Sequence, residues 1–127
     1  MRVLTLIAVL ICVTNTPNAA TINTWKPGVI TTYHKSFEGS RMTNGRRFSH
    51  RGHDVACRGG KLGQRFELRY GKRGKTFVTL SDRGGLPLHQ KNRWQFDVSR
   101  QAAKELGLYR IVHGKTDRQI RWRLLHD

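Results

Sequence analysis

The sequence predicts a mainly β chain whose short strands close, or nearly close, into a small barrel beside one short helix. Several runs alternate apolar and polar residues at the two-residue period of a half-buried strand, with turn residues between them. One segment carries a cap, an apolar patch and a terminal glycine at helical spacing. No alternation of strands with helices points to a layered parallel sheet.

Taken in order, residues 1 to 20, MRVLTLIAVLICVTNTPNAA, read as a removed export signal. Arg2 precedes an apolar run from Val3 to Val13, and a polar stretch ends in Ala19-Ala20. That run is shorter than the roughly 18 residues a membrane span needs. A retained anchor and a buried first strand are the alternatives. Residues 21 to 127 then form one domain. GVITTY gives a short strand ending near Tyr33. SRMTNGRRFSHRGHD lacks periodicity and reads as a long basic surface loop with a turn at Asn44-Gly45. QRFELRY alternates Phe66, Leu68 and Tyr70 against Glu67 and Arg69, the mark of a half-buried strand. GKRG, residues 71 to 74, turns it back into KTFVTLS. DVSRQAAKELGL is the helix, with Ser99 as N-cap, Ala102, Ala103 and Leu106 as its apolar patch, and Gly107 at its exit. HGKTDRQ, residues 113 to 119, is a charged loop, and IRWRLL is a last strand with Arg121 and Arg123 on a basic face.

The chain carries 24 Lys and Arg against 8 Asp and Glu, a net charge of +16. Loss of residues 1 to 20 leaves +15. Such a charge implies a polyanionic setting. Nucleic acid is one candidate; an anionic cell wall or membrane surface is the other, and the export-like start favours it. Without Cys12 the chain keeps one cysteine, Cys57, which excludes an internal disulfide and reads as a small buried hydrophobe.

No dinucleotide fingerprint, phosphate-binding glycine loop or zinc spacing is present. His34, His50 and His53 read as solvent-exposed side chains rather than metal ligands. FVTLSDRGG, residues 77 to 85, sets Asp82 where a strand gives way to glycines. From the residues alone, Asp82 is either a turn cap paired with an arginine or a proton-transfer group. Donation near neutral pH requires burial to raise its pKa, against the pull of Arg83 and Arg46. Asp97, two residues before the helix cap, is either local support or a substrate contact, with support favoured. Tyr33 and Trp94 are either core residues or stacking surfaces for a sugar ring.

TTYHKSFEGSRMTNGRRF, VACRGGKLGQRFEL, VTLSDRGG and FDVSRQAAKELGL, in this order, resemble the rare lipoprotein A family. These are septal-ring lytic transglycosylases whose fold is related to the expansin barrel. The resemblance runs from about Gly28 to Leu108 and implies a six-stranded double-psi β-barrel with one short helix near residues 99 to 106. Tyr33 matches the family tyrosine, Phe37 and Gly39 its Phe-x-Gly, and Asn44-Gly45 its Asn-Gly pair. Ala56 and Gly63 match the middle block, and Asp82-Arg83-Gly84 the acidic loop. Asp97, Ser99, Ala102, Ala103, Leu106 and Gly107 match the helix block.

The resemblance implies cleavage of peptidoglycan glycan strands at the β-1,4 bond by an exported protein, periplasmic or extracellular. Asp82 would protonate the glycosidic oxygen and then assist the sugar's own 6-hydroxyl in closing a 1,6-anhydro ring. Tyr33, Asn44, Arg83 and Asp97 would contact the glycan, and no cofactor is implied. Two family positions are altered. Arg46 stands where the family has glutamate, bringing positive charge that favours an ionised Asp82, and Cys57 stands where it has histidine. Gly85 replaces the proline after Asp-Arg-Gly, and Thr32 the early tryptophan. The competing readings are a wall-glycan binding or wall-loosening module without cleavage, a basic nucleic-acid binder, and a non-enzymatic inhibitor or structural role.

Overall fold

The computed structural model describes residues 24–84, 94–112 and 118–125. The expected export signal, Gly85 and most of the charged loop 113–119 lie outside the described residues; residues 118 and 119 open the last strand. The strands are β1 (Lys26–Thr32), β2 (Asp54–Ala56), β3 (Arg65–Tyr70), β4 (Gly74–Asp82), β5 (Trp94–Val98) and β6 (Arg118–Leu124). They close into a barrel in the order β1-β5-β2-β4-β3-β6, the mainly β fold that was expected. β1 with β5 and β2 with β4 run parallel, and the other four contacts are antiparallel.

The two-residue alternation of β3 and β4 sends Phe66, Leu68, Val78 and Leu80 inward, where they meet Ile30, Val55, Phe96, Val98, Ile120 and Trp122. Each such side chain contributes roughly 1.5–3 kcal/mol by leaving water. The helix α1 (Arg100–Glu105) begins as its sequence indicates: Ser99 Oγ accepts from Ala102 N at 3.1 Å and donates to Gly52 O at 2.6 Å. It ends at Gly107, whose φ of 76° lies in the left-handed region. A single further turn, α2 (Tyr109–Val112), follows. The β3–β4 hairpin presses on the end of α1 so closely that a Cβ at Gly74 would lie 2.3 Å from Leu106 O.

Asp97 and Val98, ahead of the Ser99 cap, end β5. Three expectations are corrected. The basic segment 40–54 is no plain surface loop: Met42 and Phe48 are buried with Tyr33 and Ala56 in a second small core, and Tyr33 stacks on Phe48 at 4.0 Å. Its Asn44-Gly45 turn is present, with Gly45 at φ 87°. His50 is buried rather than exposed, because its Nδ1 accepts from Arg100 N at 3.1 Å at the start of α1. Glu67 sits on the outer side of β3, as alternation implies, yet is buried beneath Arg69 and Arg123.

Candidate functional site

Strand register builds a row of residues at one end of the barrel. Thr31 on β1 lies opposite Asp97 on β5, Asp97 opposite Ala56 on β2, and Ala56 opposite Asp82 on β4. A bulge between Val55 and Ala56 shifts the β2–β4 register so that Ala56 faces Asp82. The two carboxylates therefore flank one small residue, two strand spacings apart, or about 10 Å between their backbones.

Asp82 is held by four hydrogen bonds. Tyr33 Oη donates to its Oδ2 at 2.8 Å. Its Oδ1 accepts from Thr43 N at 2.9 Å, Thr43 Oγ1 at 2.7 Å and Arg83 N at 2.9 Å. Burial pushes the Asp82 carboxyl up, but the bonds from Thr43, Tyr33 and the Arg83 backbone outweigh it and hold its pKa below the ordinary value. Asp97 differs. Its Oδ1 accepts from Thr31 Oγ1 at 3.1 Å, and Thr31 in turn accepts from Gln95. Burial raises the Asp97 pKa from 3.8 to about 6; the Thr31 bond opposes this and the negative charge of Asp82 adds to it. Tyr33 is raised by burial, then by its bond to Asp82 and by the charges of Asp82, Asp97 and Asp54, so it stays a donor.

Arg46 does not meet Asp82. Its side chain, 72% exposed, reaches Asp54 Oδ1 at 3.5 Å, and the same carboxylate takes the hydroxyl of Ser81. Asp82 is thus held down by neighbouring hydrogen-bond donors and not by that guanidinium. Arg83 also turns away: its guanidinium donates to the carbonyls of Gly60 at 2.7 Å, Gly59 at 2.8 Å, Arg58 at 3.3 Å and Cys57 at 3.4 Å. The Asp-Arg pair is therefore a double staple. Asp82 ties the 43–45 turn to β4, and Arg83 ties down the loop after β2. Asn44 serves the same turn, its Oδ1 accepting from Arg46 N at 2.9 Å while its N–H donates to Ser81 O at 3.0 Å. Cys57 is buried, and burial pushes its thiol up against the backbone bonds of Gly59 and Arg58 and the charge of Arg83, so it is a poor nucleophile.

Of the expected site residues, the structure brings Tyr33, Asp82 and Asp97 together, leaves Asn44 in the adjoining turn, and points Arg83 elsewhere. Sequence reasoning missed Thr43 and Thr31. Thr43 directly precedes the Asn-Gly turn, but its partner is 39 residues away, and no spacing signals that. Trp94 is half-buried and stacks on Trp122 at 4.5 Å, which is the core reading. His34 caps the 3-10 turn Lys35–Phe37 and His53 pairs with Glu105 at 2.6 Å; among the described residues no histidine, cysteine or acidic group gathers into a metal site. A shallow cavity of about 470 Å³ lies between the 70–74 hairpin and residues 104–107 and includes none of the carboxylate row.

Comparison of the sequence with protein-family models and with curated proteins finds no match. Among solved structures the chain is similar to the Streptomyces papain inhibitor (SPI), with a TM-score of 0.56 and 19% identity over 83% of this chain and 97% of that one. At that identity the likeness concerns the fold alone.

Proposed function

We propose that this barrel is an exported glycan-cleaving module of the lytic transglycosylase kind, in which Asp97 rather than Asp82 carries the proton. The single observation behind the reading is the pair of carboxylates flanking Ala56 whose environments pull their acidities apart. A pair separated in this way divides acid from anion. Asp97, with a pKa of about 6, keeps a proton available in mildly acidic surroundings. It would donate that proton to the glycosidic oxygen as the bond to the anomeric carbon breaks. Asp82, ionised, would sit near the positive charge developing on that carbon. The sugar's 6-hydroxyl would then attack the carbon and return its proton to the Asp97 carboxylate, leaving the protein unchanged and a 1,6-anhydro end. No water enters at the anomeric carbon.

A second reading has its own observation: Asp82 and Arg83 are both occupied in tying loops to the barrel. That favours a wall-glycan binding module without cleavage. The structural neighbour is named as a papain inhibitor, which is compatible with a barrel that binds without cleaving.

The test is digestion of peptidoglycan and of peptide-stripped glycan by wild type, Asp97→Asn and Asp82→Asn, with mass spectrometry for 1,6-anhydro ends. Ends from wild type, abolished by Asp97→Asn and only reduced by Asp82→Asn, are expected. Loss confined to Asp82→Asn would return the acid role to Asp82. No product from any form, with glycan sedimentation unchanged, would establish the second reading.

A further inference from the structure

The outer wall of the barrel holds a feature that the carboxylate row does not use. Where β3 lies between β6 and β4, register sets Arg121 opposite Arg69 and Arg69 opposite Lys75, a row of three cations on adjacent strands. Strands lie about 4.8 Å apart, and like charges placed directly opposite each other destabilise a sheet. The fold offsets part of that. Glu67, on the same face of β3, takes Arg69 at 2.9 Å and Arg123 at 2.6 Å. The guanidinium carbons of Arg123, Arg69 and Arg121 lie over the Trp25 ring at 4.7, 5.2 and 5.7 Å from its centre. Arg121 and Lys75 are exposed, and neither has a carboxylate partner among the described residues. One carboxylate thus faces four cations, and the wall stays positive.

We infer that this wall docks a polyol-phosphate chain, a flexible phosphodiester polymer without bases. A linear polymer with one negative charge per repeat complements a row of cations a few ångströms apart, and a guanidinium fork suits a phosphate. Nucleic acid fits less well. Proteins that hold single strands offer bare aromatic faces for base stacking, whereas here three guanidinium groups already lie over Trp25. The exposed ring of Phe77, on the same wall, has Lys75 Nζ 5.7 Å from its centre. This inference stands apart from cleavage at Asp97 and Asp82.

The test is calorimetric titration of the full chain with synthetic poly(glycerol phosphate), and in parallel with oligo-deoxythymidine of equal charge, over a range of salt. Wild type is compared with Arg121→Ala and with Lys35→Ala, which removes the same charge from the 3-10 turn near Tyr33. Wild type binds the polyol phosphate more tightly than the oligonucleotide. Arg121→Ala weakens it about fivefold at 0.1 M salt and lowers the salt slope by about 0.7, the counterion release of one phosphate contact. Lys35→Ala changes it less than twofold. Equal losses in the two variants would show diffuse charge and overturn the assignment to this wall. Tighter binding of the oligonucleotide would overturn the polymer class, and absence of binding would overturn both.

Discussion

Replacing Glu67 by Gln keeps the shape of a residue that is 2% exposed and removes its charge. Both carboxylate oxygens are engaged: Oε1 accepts from Arg69 Nη2 at 2.9 Å and Nε at 3.1 Å, and Oε2 from Arg123 Nε at 2.6 Å. Glutamine offers one acceptor oxygen and a donating NH2, so either orientation sets a donor against one guanidinium. Breaking a buried pair costs roughly 3–5 kcal/mol. The side chains of Arg69 and Arg123 remain 39% and 29% exposed and turn partly to water, which brings the expected loss to about 2–3 kcal/mol. For a domain of this size that lowers Tm by roughly 10–20 °C.

The loss carries a pH signature. Burial pushes the Glu67 carboxyl up, but the bonds and charges of Arg69 and Arg123 outweigh it, so its folded pKa lies below the ordinary 4.5. Between the two values the unfolded chain holds the extra proton, and stability rises with pH. The contribution of Glu67 is therefore complete above about 4.5 and is lost as pH falls through the folded value. Urea unfolding followed by tryptophan fluorescence should show the full difference between wild type and Glu67→Gln at pH 7 and a smaller one at pH 3. A difference below about 0.5 kcal/mol at pH 7, or one equal at both pH values, would refute the reasoning.

Carboxyl resonances of Asp97 should titrate near 6, and Asp82→Asn should lower that midpoint by removing one of the two influences that raise it; an unmoved midpoint would count against the pairing. Because the folded pKa of Asp97 is raised, stability falls as pH rises from 3.8 to about 6, so Asp97→Asn should be more stable than wild type above pH 6, with the difference closing toward pH 4 in denaturant titrations. Ser99→Ala removes both the cap on Ala102 and the bond to Gly52 and should cost about 1–2 kcal/mol in thermal melts, where an unchanged Tm would contradict the capping role. Gly74→Ala drives a methyl group into Leu106 O and should cost roughly 3 kcal/mol or more, against about 1 kcal/mol for Gly71→Ala, which meets open space at a φ of 59°. Equal melting of the two variants would contradict the close approach.

The parts of the fold legible in sequence are those whose cause is local. The β3–β4 hairpin follows from two alternating runs around Gly71 and Gly74, and α1 from Ser99 at one end and Gly107 at the other. β2 has three residues, too few to show a period, and is specified by its neighbours β4 and β5. β5 was hidden because Asp97 and Val98 run straight into a strong helix signal. The second core under Tyr33 rests on Met42 and Phe48, two apolar residues without periodicity in a basic stretch. The site was half legible. Resemblance singled out Asp82 and Asp97, but their different acidities come from Thr43, Thr31 and burial, and those two partners lie 39 and 66 residues away, one in a turn and one on β1. Arg46 and Arg83 carried the right sign of charge but the wrong partners, since a side chain's direction is set by the backbone it leaves.

The ring order also governs when the molecule can exist as a barrel. Both neighbours of β1, β5 and β6, come from the last third of the chain, and the Trp122 indole donates to the carbonyl of Pro27 95 residues earlier. During synthesis the first strand has no mate until residue 94 emerges, and the ring has a gap until residue 118 does. Topologies of such high contact order fold in about milliseconds to seconds, whereas a ribosome adds roughly 5–20 residues per second. Chain completion, and not search, is then the slower clock, and a truncation between β5 and β6 yields a sheet with β1 and β3 as open edges ready to recruit a strand from another molecule.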